Sequence, residues 1–201
     1  MKKVEHGKTF DRNAANPPAF EIFHNTVTEG YPEHWHTAIE IIMPTRGEYE
    51  VVVGKDSYNL KEGDIIMINS GVVHGMRFVS QGERIVMLVE PGCVENQEEM
   101  ETIFLRLPAI YFKKEDEEDP FYLFLRSQIL ELVREYDNEG AVMTHRICTG
   151  LKELFSEFGR KGFSDANAQN TFGAMKQQEY IEAVLSACRY INVHYLSLIH
   201  I

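Results

Sequence analysis

Between residues 38 and 89 the chain passes through six short runs that alternate or are rich in β-branched residues: 38–43, 49–53, 57–60, 64–68, 75–78 and 84–89. Turn signals separate them at Arg46-Gly47, Gly54-Lys55-Asp56, Glu62-Gly63 and Gln81-Gly82. No helical period intervenes. Strands this short and this closely spaced predict a sandwich or a barrel, with β structure extending over residues 19–92.

After Pro91-Gly92 the period changes. Residues 95–107 read as a short acidic helix that Pro108 stops. Asp119-Pro120 then supplies an N-cap and a proline at the first helical position. The helix that follows places Phe121, Phe124, Leu125, Ile129, Leu132, Val133 and Tyr136 on one side, at steps of three and four. Asn138-Glu139-Gly140 ends it. A second helix, about 141–158, repeats the pattern with Met143, Ile147, Leu151, Leu154, Phe155 and Phe158. Two such helices joined by a short turn form an antiparallel pair. The expected fold is therefore mainly β with an α-helical appendage. Residues 161–178 are rich in Gly, Asn, Ser and Gln and read as a linker, and a last helix occupies about 179–195.

Two stretches carry chemistry. In residues 30–47, His34, His36 and Glu40 share strand parity and project from one face. Trp35, Ile39, Ile41 and Met43 project from the other, which makes Trp35 a packing residue. In residues 63–75, an apolar strand, a turn at Asn69-Ser70-Gly71 and then His74 bring a third imidazole within reach of the same point. Two imidazoles and a carboxylate are the donor set of a 2-His-1-carboxylate site. Three His and one Glu leave one or two positions open on a divalent metal, with Zn, Ni, Fe and Mn all admissible. The same four groups can instead hydrogen-bond one another inside a barrel with no ion. Met76 and Phe78 share parity with His74 and are candidates for the wall of a ligand cavity.

These stretches resemble the two motifs of the cupin family. Gly30, His34, His36, Glu40 and Gly47 match the first, and Gly63, Gly71 and His74 the second. The resemblance implies a jelly-roll, double-stranded β-helix barrel with its metal ligands at His34, His36, Glu40 and His74. Asn69 departs from it, standing where the second motif usually has proline. Gly30 also lies nearer the first His than the commonest spacing.

Nearly the whole chain is similar to the N-terminal half of AraC/XylS-type transcription regulators. In those, an arm leads into a cupin barrel, a helix pair, a linker and two helix-turn-helix units. The resemblance implies an arm and barrel over 1–92 and a helical dimerisation region over 93–160. The linker is 161–178, and 179–201 is the first helix of a truncated DNA-binding domain. It implies a small-molecule effector in the barrel and a homodimer. The dimer surface would be the stripe Phe121, Leu125, Ile129, Leu132, Tyr136, Ile147, Leu151 and Phe155; the other reading is packing against the barrel's outer face, and both can hold, since a helix has two faces. A metal-dependent cupin enzyme, a dioxygenase or isomerase, is the alternative.

Charge sets limits. With 20 Lys and Arg against 31 Asp and Glu, the net charge is −11, and a surface like that repels phosphate backbones. DNA contact is thus expected only through helices outside this chain. No apolar run reaches membrane-spanning length and no secretory signal opens the chain, so a cytoplasmic protein is expected. Cys93, Cys148 and Cys188 have no metal-binding spacing and read as buried reduced thiols.

Overall fold

The computed structural model describes residues 19–26, 30–90, 108–116, 118–138, 140–161 and 183. The arm, the acidic helix expected over 95–107, the linker, nearly all of the last helix, and Cys93 and Cys188 lie outside the described residues.

Among the described residues nine strands precede the helix pair: β1 (Phe20–Asn25), β2 (Tyr31–His34), β3 (Ile39–Arg46), β4 (Tyr49–Val53), β5 (Asp56–Leu60), β6 (Ile65–Ile68), β7 (His74–Phe78), β8 (Glu83–Val89) and β9 (Ala109–Phe112). They form a five-stranded sheet in the order β1-β8-β3-β6-β9 and a four-stranded sheet in the order β2-β7-β4-β5. Every pairing is antiparallel. The fold is a cupin β-barrel followed by a helical pair.

The sequence of each strand reflects how many faces it buries. Strand β3 is buried from Ile39 to Pro44, and β6 is buried throughout. Their sheet packs on the opposite sheet inside and on helices outside, so both faces are apolar. Ile39, Ile41, Met43, Ile65, Met67, Ile85 and Met87 join the helix-facing core. Ile42, Ile66 and Ile68 join Tyr49, Val51, Val53 and Leu60 between the sheets. Strand β4 has only one buried face and alternates accordingly.

Gly47 closes the β3–β4 turn at φ +80°, and a Cβ there would lie 2.8 Å from the Gln81 carbonyl oxygen and 2.9 Å from the Gly82 Cα. Glycine meets both demands.

Strand β9 lies in a stretch to which the sequence pattern assigns no element. It caps the edge of the large sheet by pairing with β6, Ile65 opposite Phe112 and Ile68 opposite Ala109. Asp64 clamps this edge. It accepts from Tyr111 Oη at 2.6 Å, from Lys114 N at 2.7 Å and from Lys61 N at 2.9 Å.

Helices α1 (Pro120–Asp137) and α2 (Met143–Lys161) form the pair. Asp119 caps α1 by accepting from Phe121 N at 3.0 Å, with Pro120 in the first turn. The second helix continues through Lys161, three residues past its expected end. Tyr122 Oη ties α1 to the barrel, donating to Gly63 O at 2.8 Å.

The apolar stripe faces inward, which corrects the expectation of a dimer surface. Leu125, Ile129, Leu132, Ile147, Leu151 and Phe155 are 0–3% exposed and belong to the same core as the outer face of the large sheet. Side chains this buried have no area left to give a second copy. Phe121 and Tyr136 pack on the margin of that core, as does Cys148. Among the described residues, no helix is long and apolar enough to cross a membrane.

Candidate metal centre and its cavity

The site lies where the chain crosses from one sheet to the other. His34 ends β2 in the small sheet and Glu40 is the second residue of β3 in the large one. His36 lies on the crossing. The ligands therefore do not converge by shared parity along one strand, as the sequence suggested, because residues 35–38 are not strand. They converge because a bend folds the segment inward. His74 opens β7 directly opposite His34. Gly71, at φ +74°, donates its N–H to His36 O at 2.7 Å, tying the second motif's turn to the crossing. Asn69 is buried; its N–H donates to Pro108 O at 3.0 Å and its Oδ1 accepts from Ser70 N at 2.8 Å. The turn is thus held without proline.

His34, His36, Glu40 and His74 each present a ligand atom, and these atoms lie within 4.8 Å of one another. Ring centroids are 4.5 Å apart for His34 and His74, 4.9 Å for His36 and His74, and 5.5 Å for His34 and His36. His36, Glu40 and His74 are buried, and His34 is half-buried.

The outward nitrogens fix the chemistry of the inward ones. His34 donates Nδ1–H to Pro32 O at 3.0 Å, His36 to Ala38 O at 2.9 Å and His74 to Val72 O at 2.8 Å. A carbonyl only accepts, so each Nδ1 carries a proton, and a neutral ring then has only a lone pair at Nε2. Nε2 of His36 and of His74 lie 3.0 and 2.8 Å from the same Glu40 Oε2. Two lone pairs cannot bond to a carboxylate oxygen. Either the rings take up second protons or a cation sits among the four groups. A divalent cation satisfies all of them at once, and outer bonds of this kind orient metal-bound histidines generally. The residues present fit such an ion.

Burial alone would push the Glu40 carboxyl up; when the His36 and His74 rings carry second protons, their bonds to it outweigh burial and hold it at about 2. Burial pushes the His34 imidazole below its ordinary value, the Pro32 carbonyl opposing this and His74 adding to it.

The cluster opens into a cavity of about 180 Å³ between the sheets. Met76 is on its wall, with Ile42, Val86, Leu88 and Phe23. Phe78 belongs to β7, but its side chain is outside those described. Trp35, expected as a packing residue, is 46% exposed. Arg84 also lines the cavity, and sequence reading gave it no role. A signal was present: Ile85, Met87 and Val89 are apolar on one parity, Val86 and Leu88 on the other. A charge within a strand that is apolar on both faces is a candidate for burial. Burial lowers the Arg84 guanidinium from its usual value, with Tyr49 and Glu40 opposing.

Residues 25–90 match the family model described as Cupin domain. Among solved structures, the AraC-like transcriptional activator CuxR aligns at a TM-score of 0.57 and 12% identity, over 89% of this chain and 62% of that one. Ligand-free ToxT from Vibrio cholerae aligns at 0.50 and 11% identity, over 84% of this chain and 66% of that one. Oxalate decarboxylase from Bacillus subtilis aligns at 0.34 and 18% identity, over 36% of this chain and 21% of that one. The chain thus spans less than two thirds of the length of CuxR. At these identities the likeness is one of fold. No curated protein sequence matches the chain.

Proposed function

We propose that this chain is the effector-sensing part of an AraC-type transcription regulator acting in the cytoplasm. It binds a small molecule between the sheets of its barrel, beside a divalent metal held by His34, His36, Glu40 and His74. The observation that carries this reading is the extent of the likeness to CuxR, which covers 89% of the chain and so reaches well beyond the barrel. A barrel and helix pair shared as one unit fit a sensing half better than an isolated catalytic barrel.

In this reading the three imidazoles and Glu40 hold the ion, which supplies a Lewis-acidic contact to an effector. The outward Nδ1 bonds keep the rings in register. The apolar wall formed by Ile42, Val86 and Met76 excludes water from the remainder of the ligand. Effector binding alters regulation only if one arrangement of the protein binds it better than another. Helices α1 and α2, packed directly on the barrel's outer face, are the elements placed to transmit that preference. The protein acts as a homodimer whose partner-facing surface is not the buried stripe.

Reading the encoding gene onward past codon 201 tests the proposal. The expected result is about a hundred further residues with two helix-turn-helix patterns and a basic balance. A gene that ends without them contradicts it.

The complete donor set favours a second reading, a metal-dependent dioxygenase or isomerase. Turnover of a small acid or sugar by the metal-loaded chain, with loss of turnover in His74→Ala, would establish that instead.

A further inference from the structure

Arg84 is a cation inside the barrel that forms an ion pair with no acid among the described residues. It is 3% exposed and shares the cavity with the histidine cluster. Among the described residues no acceptor lies within hydrogen-bond distance of its Nε or Nη1. Of the described residues, the one acid on the cavity wall is Glu40, whose Oε2 is already engaged by His36 and His74. Glu40 lies opposite Leu88 and Arg84 opposite Pro44. Among the described residues no hydrogen bond or ion pair joins them, and Glu40 acts on the guanidinium only at longer range. The face of the Tyr49 ring, 4.7 Å from the guanidinium carbon, offsets part of the cost of burial. A guanidinium stays charged, and a buried charge without a counter-charge is strongly unfavourable.

Part of the wall is apolar, beside the polar Asn25 and Tyr31. Ile42, Val86 and Met76 line the cavity with Arg84 and the cluster. If Glu40 is engaged with a divalent cation, no negative charge is left on the wall to balance Arg84. A cavity with one fixed cation, an apolar wall and a set of electrophilic or imidazole groups suits a small anion with an apolar body. A carboxylate matches the guanidinium fork and its charge.

We propose that Arg84 is the anion anchor of this cavity. The ligand is a small organic carboxylate whose acid group pairs with the Arg84 guanidinium, its apolar part lying along Ile42, Val86 and Met76. This names the class of effector and rests on reading the cavity as an effector site.

Calorimetric titration of the folded, metal-loaded chain tests it, with propionate, hexanoate, benzoate and succinate, each beside its amide, and with glucose and inorganic phosphate. The expected result is that at least one carboxylate binds, its amide binds at least tenfold more weakly, and Arg84→Gln weakens the carboxylate at least tenfold without changing metal content. Should Arg84→Gln not fold, the wild-type carboxylate–amide pair still decides. So does the arginine Nε–H resonance, which must shift on adding the acid and not the amide. Equal binding of acid and amide, binding of glucose or phosphate alone, or no carboxylate binding overturns the anchor. Glucose binding alone would leave the effector reading standing. A gene lacking DNA-reading helices would overturn the regulator and leave the Arg84 result intact.

Discussion

His34 and His74 face each other across the β2–β7 pairing, ring centroids 4.5 Å apart, each with its Nδ1–H turned away onto a carbonyl two residues distant. That relationship makes the pair a preset donor couple.

His74→Ala removes one donor, and Glu40→Gln removes the charge while keeping the shape. Loss of an outer partner already weakens metal sites by about 10–100-fold, so loss of a donor is expected to cost about 100-fold or more. Competition with a chromophoric chelator measures this, with circular dichroism confirming the fold. Affinity within threefold of wild type in both variants would exclude these residues as ligands.

Gly71→Ala places a side chain at φ +74° and disturbs the bond from Gly71 N to His36 O. The expected cost in stability is about 1 kcal/mol or more. Because His36 moves with its carbonyl, metal affinity falls as well. Urea unfolding and chelator competition on the same sample read both effects.

Phe155 is 0% exposed in the core between α2 and the large sheet. Phe155→Ala is expected to destabilise the chain by about 3–5 kcal/mol. If the stripe were a partner surface, the same variant would change the association state at little cost in stability. Urea unfolding beside analytical ultracentrifugation separates the two.

Asp119 caps α1, and Lys161 Nζ lies 2.6 Å from its Oδ2. The Lys161 bond, helped by the Phe121 N–H, holds its carboxyl below the usual range. A depressed carboxylate contributes stability above its unfolded value, and that contribution is lost as pH falls through the folded one. Asp119→Ala should therefore cost about 1 kcal/mol at neutral pH. The difference from wild type should shrink below about pH 4. A cost that does not change with pH would show that the charge plays no part. The exposed Lys161 pair adds little by itself.

Much of this was legible in sequence. Glycines at the turns and the period-two runs gave the barrel, because turn chemistry and parity are local. The spacing of His34, His36, Glu40 and His74 gave the cluster. Its geometry was misread, because a break at residues 35–38 leaves parity intact while changing the sheet. Strand β9 escaped because Ala109–Phe112 is four residues long and is strand only through its distant partner β6. The stripe on α1 and α2 was read correctly as apolar, but what covers an apolar face is a tertiary fact that periodicity does not contain. Arg84 does not stand out in the sequence, because burial of a lone charge shows only when both faces of its strand are taken together.

Elemental analysis combined with X-ray absorption, on chain purified and dialysed against Zn, Ni, Fe or Mn, tests the metal centre most directly. The result predicted is one divalent ion per chain in a nitrogen-rich shell, at about 2.0–2.1 Å for zinc, lost in His74→Ala. Folded protein that retains none of the four ions would contradict the centre.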